Sequence, residues 1–170
     1  HDLLVISDEI YAELTYGGRH VSIASLPGMK ERTVLINGFS KAFAMTGWRI
    51  GFVCAPPELD AALFKIHQYA IMCAPGASQY AAIEGLKDGF TDNFAVVESM
   101  REEYDKRRRF MTRFFNENGL PCFEPRGAFY VYPSTAALGV TGEEFANGLL
   151  RAEKVAAVPG DAFGEAGKYH

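Results

Sequence analysis

Two short apolar runs, residues 33–36 and 50–55, flank a connection that carries both a lysine and an arginine. Each run has the length and the composition of a buried β-strand. The connection holds Lys41, Arg49 eight positions further on, and the glycines Gly38 and Gly47. Open α/β sheets bind ligands at the carboxyl ends of their strands, so charged residues in this place predict a ligand site. We therefore expect a sheet that presents an amine and a guanidinium together at one edge.

Composition narrows the class of protein without identifying it. The 170 residues are 48% hydrophobic and 22% charged, which is typical of one or two globular domains. A net charge of −4 argues against nucleic acid as a partner. No apolar run reaches the roughly 18 residues of a membrane helix, so no membrane partner is expected. Cys54, Cys73 and Cys122 are predicted to be reduced core thiols of a cytoplasmic protein. The four histidines lack ligand spacing, so no metal site is expected.

The hydrophobic pattern predicts an α/β chain in two parts. A first buried strand, 3–7, leads into Ser7-Asp8-Glu9-Ile10-Tyr11. The other predicted elements are a short helix at 23–26, strands at 33–36 and 48–55, helices at 58–72, 76–88, 92–117 and 141–152, two short strands within 122–133, and a last strand at 154–158. Buried strands of the kind found in parallel sheets dominate the first part, so we predict one domain at 1–95 and a second at 96–170. A chain that opens inside a strand without a methionine is expected to be part of a longer protein.

Four side chains are expected at the carboxyl edge of the sheet: Asp8, Tyr11, Lys41 and Arg49. A primary amine can form a Schiff base with a carbonyl compound, and a guanidinium binds phosphate through two parallel hydrogen bonds. A carboxylate that faces a pyridine nitrogen keeps that ring protonated and electron-withdrawing. These are the parts that a pyridoxal phosphate site requires. Taken singly, each residue also has an ordinary explanation, as a solvated lysine, a turn-forming acid, a core tyrosine or an ion-pairing arginine.

The sequence resembles the class I and II aminotransferases, which are pyridoxal phosphate enzymes of fold type I. The likeness is carried by residues 7–11 and by the run Ser40-Lys41-Ala42-Phe43-Ala44-Met45-Thr46-Gly47-Trp48-Arg49-Ile50-Gly51, with support from 127–130 and 158–164. It implies the end of a large cofactor domain, built on a mainly parallel sheet with helices, followed by part of an α+β small domain. It also implies transfer of an amino group from an L-amino acid to a 2-oxo acid, in a homodimer that uses pyridoxal 5′-phosphate.

The resemblance also implies a role for each of the four side chains. Lys41 is the Schiff-base lysine and the proton carrier, Asp8 pairs with the pyridinium nitrogen, Tyr11 donates to the phenolic oxygen of the ring, and Arg49 holds the phosphate. Gly38 departs from the family, which often has a serine or threonine there to bind the phosphate. The family's glycine-rich phosphate loop and its carboxylate-binding arginine do not occur among these residues, so the chain alone is expected to be inactive.

Other interpretations stay open on the sequence alone. The same scaffold supports C–S β-lyase chemistry, although many such lyases have histidine at the position of Tyr11. It also occurs as the effector domain of transcription regulators. The segment Pro75-Gly76-Ala77-Ser78 is interpreted as a helix cap, with anion binding or a dimer contact as alternatives. Glu9 is interpreted as a solvated or structural acid, and the identity of the amino acid substrate is not indicated.

Overall fold

The computed structural model describes residues 1–170, which separate into two compact units, His1–Glu102 and Glu103–His170. The division falls inside one long helix, which begins in the first unit and ends in the second. The domain boundary near residue 95 concerns the whole protein and stays a prediction.

The first unit is built on a three-stranded sheet in the order β1-β2-β3. The strands are β1 (Val5–Asp8), β2 (Thr33–Gly38) and β3 (Gly51–Cys54). β1 and β2 are parallel, with Asp8 opposite Ile36. β3 is antiparallel to β2, with Gly38 opposite Gly51. The predicted α/β class is confirmed. The sheet of these residues is mixed, because the connection 39–50 leads into β3 at the same edge at which β2 ends, so β3 runs antiparallel to β2.

Four α-helices follow the sheet, and all four were predicted. They are α1 (Pro57–Ala70), α2 (Gly76–Asp92), α3 (Ala95–Glu117) and α4 (Gly142–Glu153). α2 extends four residues beyond its predicted end, to Asp92, and the left-handed φ of 57° at the following residue, Asn93, closes the helix. α4 begins with a capping box in which Thr141 and Glu144 satisfy each other's backbone N–H groups. The predicted short helix after residue 22 is the 3₁₀ turn Ile23–Ser25.

The core of the first unit joins the connection 39–50 to α2. Its buried members are Phe39, Met45 and Ala82, and the partly buried side chains of Phe43, Ile50, Ala81 and Leu86 pack against them. The rings of Phe39 and Phe43 lie 5.2 Å apart, at a distance typical of a stabilising aromatic pair. The connection is therefore a packed part of the core.

The second unit is organised around the end of α3. The Asn116 amide donates to the Thr112 and Cys122 carbonyls, and its oxygen accepts the Cys122 N–H at 3.0 Å. Arg108, nearly buried, donates to the Glu124 carboxylate and to the Pro125 carbonyl. These bonds attach the segment after α3 to the helix through side chains, without a sheet.

Two predictions about the second unit are wrong. The segment 122–133, where two strands were predicted, contains isolated bridges, among them the antiparallel bridge of Cys122 with Pro133, and no strand. Residues 154–158 form no strand, because a strand needs a partner edge and this unit offers helices and turns.

The cysteines are all free, but only Cys122 is buried, so the prediction of core thiols is wrong for Cys54 and Cys73. None of the helices combines the length and the apolar character needed to cross a bilayer.

Candidate active site

The strand directions bring the four predicted side chains to one edge of the sheet. Asp8 is the last residue of β1, and Lys41 lies three residues after the end of β2, its parallel neighbour. Arg49 lies two residues before β3, which starts at the same edge because it is antiparallel to β2. The carboxyl ends of β1 and β2 therefore share this edge with the amino end of β3, as expected for a ligand site in an α/β sheet.

Lys41 and Tyr11 are in contact at this edge. The Lys41 Nζ atom lies 5.6 Å from the centre of the Tyr11 ring, within the range of a cation–π interaction. Both side chains are half-buried. The amine is therefore held against an aromatic face and close to the phenol of the turn that follows β1.

The Asp8 side chain is exposed, and its Oδ1 accepts the N–H of Ile10 at 3.1 Å. This bond forms an Asx turn, so the turn-forming role of Asp8 is present in the structure. A carboxylate can accept several hydrogen bonds, so this single bond leaves the group able to accept another donor. Asp8 and Arg49 share the edge with Lys41 while their own side chains bond within their local turns.

The backbone between Lys41 and Arg49 is unusually constrained. Ala44 and Arg49 both have left-handed backbone angles, with φ of 53° and 51°. Such conformations are uncommon for residues other than glycine, and they occur preferentially at ligand-binding and catalytic sites. One N–H of the Arg49 guanidinium donates to the Thr46 carbonyl at 2.6 Å. Its other donors, on an exposed side chain, are available to an anion.

Packing explains why glycine stands at position 38. A Cβ atom at Gly38 would lie 2.9 Å from the Cα of Gly51 and 3.0 Å from the Ile50 carbonyl oxygen. A Cβ at Gly51 would lie 2.9 Å from the Asn37 carbonyl oxygen. The two strands approach so closely here that a serine or threonine at position 38 would require the backbone to move.

Glu9 is a buried structural acid beside the candidate site. Its carboxylate accepts the Ser22 hydroxyl at 2.8 Å and the Ser7 hydroxyl at 3.1 Å, and it pairs with His20 Nε2 at 2.8 Å. Burial raises the pKa of this carboxyl, but the hydrogen bonds from Ser22, His20 and Ser7 and the charge of His20 outweigh burial and hold the pKa below its ordinary value. This cluster attaches residues 20–22 to the turn that follows Asp8.

Ser78 is a contact that sequence reasoning missed. Although it lies in the first turn of α2, it caps nothing: the N-cap is Pro75, and no side chain bonds to the free N–H groups there. Instead its hydroxyl donates to the carbonyl of Trp48 at 2.6 Å. The only signal in the sequence was a small hydroxyl residue at the start of an otherwise apolar helix face.

Fold and site together define an α/β chain whose sheet edge carries an amine, a phenol, a carboxylate and a guanidinium. The chain belongs to the class I and II aminotransferase family, whose model matches residues 1–168. Aminotransferases of this family are pyridoxal phosphate-dependent enzymes, and the resemblance found in the sequence is confirmed.

Individual relatives agree with the family assignment. The chain is 57% identical to the Bacillus subtilis protein YugH over 99% of its own length and 42% of that protein. It is 49% identical to an aspartate aminotransferase of Pyrococcus abyssi and 44% identical to an aromatic-amino-acid aminotransferase of Thermococcus litoralis, over 99% of the chain and 43% of each relative. The chain thus spans less than half the length of these relatives.

Solved structures show the same fold. The structure of an aromatic aminotransferase from Pyrococcus horikoshii matches with a TM-score of 0.91 and 49% identity, over 98% of this chain and 44% of that one. A Thermus thermophilus aspartate aminotransferase with maleate matches with a TM-score of 0.88 and 38% identity, over 96% of this chain and 42% of that one. The architecture is therefore that of part of a fold-type I aminotransferase.

Proposed function

We propose that the protein containing these residues transfers an amino group from an L-amino acid to a 2-oxo acid. The observation that carries the proposal is the contact of the Lys41 amine with Tyr11 at the sheet edge that Asp8 and Arg49 share. A loop lysine with no chemical role would not have to lie at this edge of the sheet. Nor would it need a connection constrained by two residues with left-handed backbone angles.

The side chains present are of the kinds that pyridoxal phosphate requires, and they lie at one edge of the sheet. When bound, the cofactor supplies an aldehyde that joins to an amine and a protonated ring that accepts electrons from the substrate. Lys41 would hold the aldehyde end and carry a proton, and Asp8 would face the ring nitrogen. Tyr11 would donate a hydrogen bond to the ring oxygen. Arg49 would bind the phosphate with the guanidinium donors that Thr46 does not use.

The relatives suggest which amino acids to test as donors. Relatives named for aspartate and for aromatic amino acids match this chain at 49% and 44% identity over the same share of its length. We propose that the substrate lies among these two groups. Assays with aspartate and with tyrosine, each with a 2-oxo acid acceptor, test this, and release of pyruvate and ammonia from a sulfur amino acid would instead indicate a β-lyase.

We also propose that the full-length protein is a cytoplasmic homodimer. Apolar side chains exposed on α1, among them Phe64, Ile66 and Tyr69, supply a surface that a second subunit can bury. Three free cysteines without a disulfide suit a reducing compartment. Sedimentation of the full-length protein at several concentrations tests the dimer.

The variant Lys41→Ala of the full-length protein tests the central assignment. Loss of the group that is both nucleophile and base is expected to lower turnover by at least about 10³-fold. Borohydride reduction of the wild-type holoenzyme, followed by peptide mapping, should find the cofactor attached to Lys41. Lys30→Ala, which changes an exposed lysine just before β2, is the matched control and should keep wild-type turnover. Wild-type turnover by Lys41→Ala would refute the assignment.

A further inference from the structure

The hydroxyl of Ser78 bonds to the backbone immediately before Arg49. The hydrogen bond from Ser78 Oγ to the Trp48 carbonyl is 2.6 Å long, and Ser78 is only 4% exposed. The Trp48 carbonyl and the Arg49 nitrogen belong to one planar peptide unit. A bond to that oxygen therefore restrains the orientation of the peptide plane that precedes the Cα atom of Arg49.

Arg49 needs such a constraint because its backbone is strained. With φ of 51° and ψ of 51°, it occupies the left-handed region that non-glycine residues rarely adopt. Such a residue keeps its conformation only when surrounding contacts enforce it. The direction of the Arg49 side chain depends on this conformation, because φ and ψ determine where the Cα–Cβ bond points.

The helix that carries Ser78 is itself anchored in the core. Four residues further along α2, Ala82 is buried in the cluster with Phe39 and Met45, which belong to the same connection as Arg49. The hydroxyl is therefore held on a rigid element whose position relative to the connection is fixed by packing. We propose that Ser78 is a positioning residue for Arg49, which holds the guanidinium in the direction needed to bind the cofactor phosphate.

Simple packing or helix capping does not explain this serine. The hydroxyl bonds outside its own helix, and α2 has no side-chain cap. Alanine would fill the same buried space without a polar atom, but it would leave the Trp48 carbonyl without this donor. The inference rests on the proposed function, because it takes Arg49 to be the phosphate ligand.

The test compares two cofactor forms that differ only in the phosphate. Pyridoxal phosphate and pyridoxal are titrated into the full-length apoprotein, and binding is followed by absorbance. Ser78→Ala is expected to weaken binding of pyridoxal phosphate about tenfold, the size of one hydrogen bond, and to leave binding of pyridoxal unchanged. Ser78→Cys keeps the side-chain volume but is a weaker donor, so it should give a smaller loss of the same kind and serves if the alanine variant does not fold.

Thr33→Val is the matched control. Thr33 is 2% exposed and donates to the Met29 carbonyl at 2.7 Å, so its replacement removes an equivalent buried bond at the opposite end of β2. It should leave both affinities unchanged. Equal weakening of both cofactor forms by Ser78→Ala, or no change in either, would overturn the inference.

A reference variant separates this inference from the proposed function. Arg49→Ala should abolish the preference of the protein for the phosphorylated form. If the wild-type protein shows no such preference, or if Arg49→Ala keeps it, the assignment of Arg49 fails. If Arg49→Ala loses the preference while Ser78→Ala and Ser78→Cys keep it in full, only the positioning role of Ser78 fails.

Discussion

At the scale of single residues, Glu9 shows how a buried charge can stabilise a neighbouring turn of the candidate site. Its carboxylate is 6% exposed and accepts hydrogen bonds from Ser7 and Ser22 beside its pairing with His20. A buried carboxylate is tolerable only when such donors surround it. Because Glu9 directly follows Asp8, these bonds restrain the turn from which both Asp8 and Tyr11 extend.

The Glu9 cluster predicts a dependence of stability on pH. Since the folded pKa of Glu9 lies below its ordinary value of about 4.5, the charged form favours folding above that pH. This stabilisation should be lost as pH falls below about 4.5 and through the folded pKa. Glu9→Gln should lower the free energy of unfolding near pH 7 by about 1–3 kcal/mol and flatten its decline in acid. Urea unfolding of the full-length protein between about pH 3.5 and 7 measures both quantities. Glu13→Gln, which changes an exposed acid, is the control. An unchanged profile for Glu9→Gln would contradict the prediction.

At the scale of elements, the close approach of β2 and β3 fixes the connection that carries Lys41. Gly38 and Gly51 face each other across the pair, and a Cβ at Gly38 would lie 2.9 Å from the Cα of its partner. Gly38→Ser should therefore destabilise the full-length protein by about 1–3 kcal/mol instead of adding a phosphate ligand. Thermal unfolding measures the loss. Gly18→Ser, where a Cβ would meet nothing within 4 Å, is the control, and equal stability of the two variants would count against the packing argument.

The elements also show how far the sequence can be interpreted without a structure. Helices were predictable because capping signals and 3.6-residue periodicity are local, as at Thr141 and Glu144. The edge that gathers Asp8, Lys41 and Arg49 was predictable from strand ends alone, although the roles of these residues stay predictions. The antiparallel direction of β3, the missing strand at 154–158 and the Ser78 contact depend on partners that are distant in sequence. No local pattern encodes those partners.

At the scale of the whole molecule, these 170 residues bury little apolar surface by themselves. Leu14 is the only large side chain that is completely buried, whereas Ile6 of β1 and Val53 of β3 are 74% and 44% exposed. The Bacillus subtilis protein YugH and the aspartate aminotransferase of Pyrococcus abyssi are more than twice as long as this chain, which covers 42–43% of them. We infer that other parts of the whole protein cover these faces of β1 and β3, as the second subunit of the proposed dimer covers α1.

This inference predicts a contrast between the isolated chain and the protein that contains it. Residues 1–170 expressed alone should bind a hydrophobic dye strongly, because exposed apolar patches larger than a few hundred Å² are rare in stable monomers. They should also show no transamination, whereas the full-length protein should transaminate and bind little dye. Dye fluorescence and the amino-transfer assay, made on both at equal concentration, provide the measurement. An isolated chain that stays dye-free and active would mean that the faces exposed on β1, β3 and α1 need no cover, and that the site is complete within these residues.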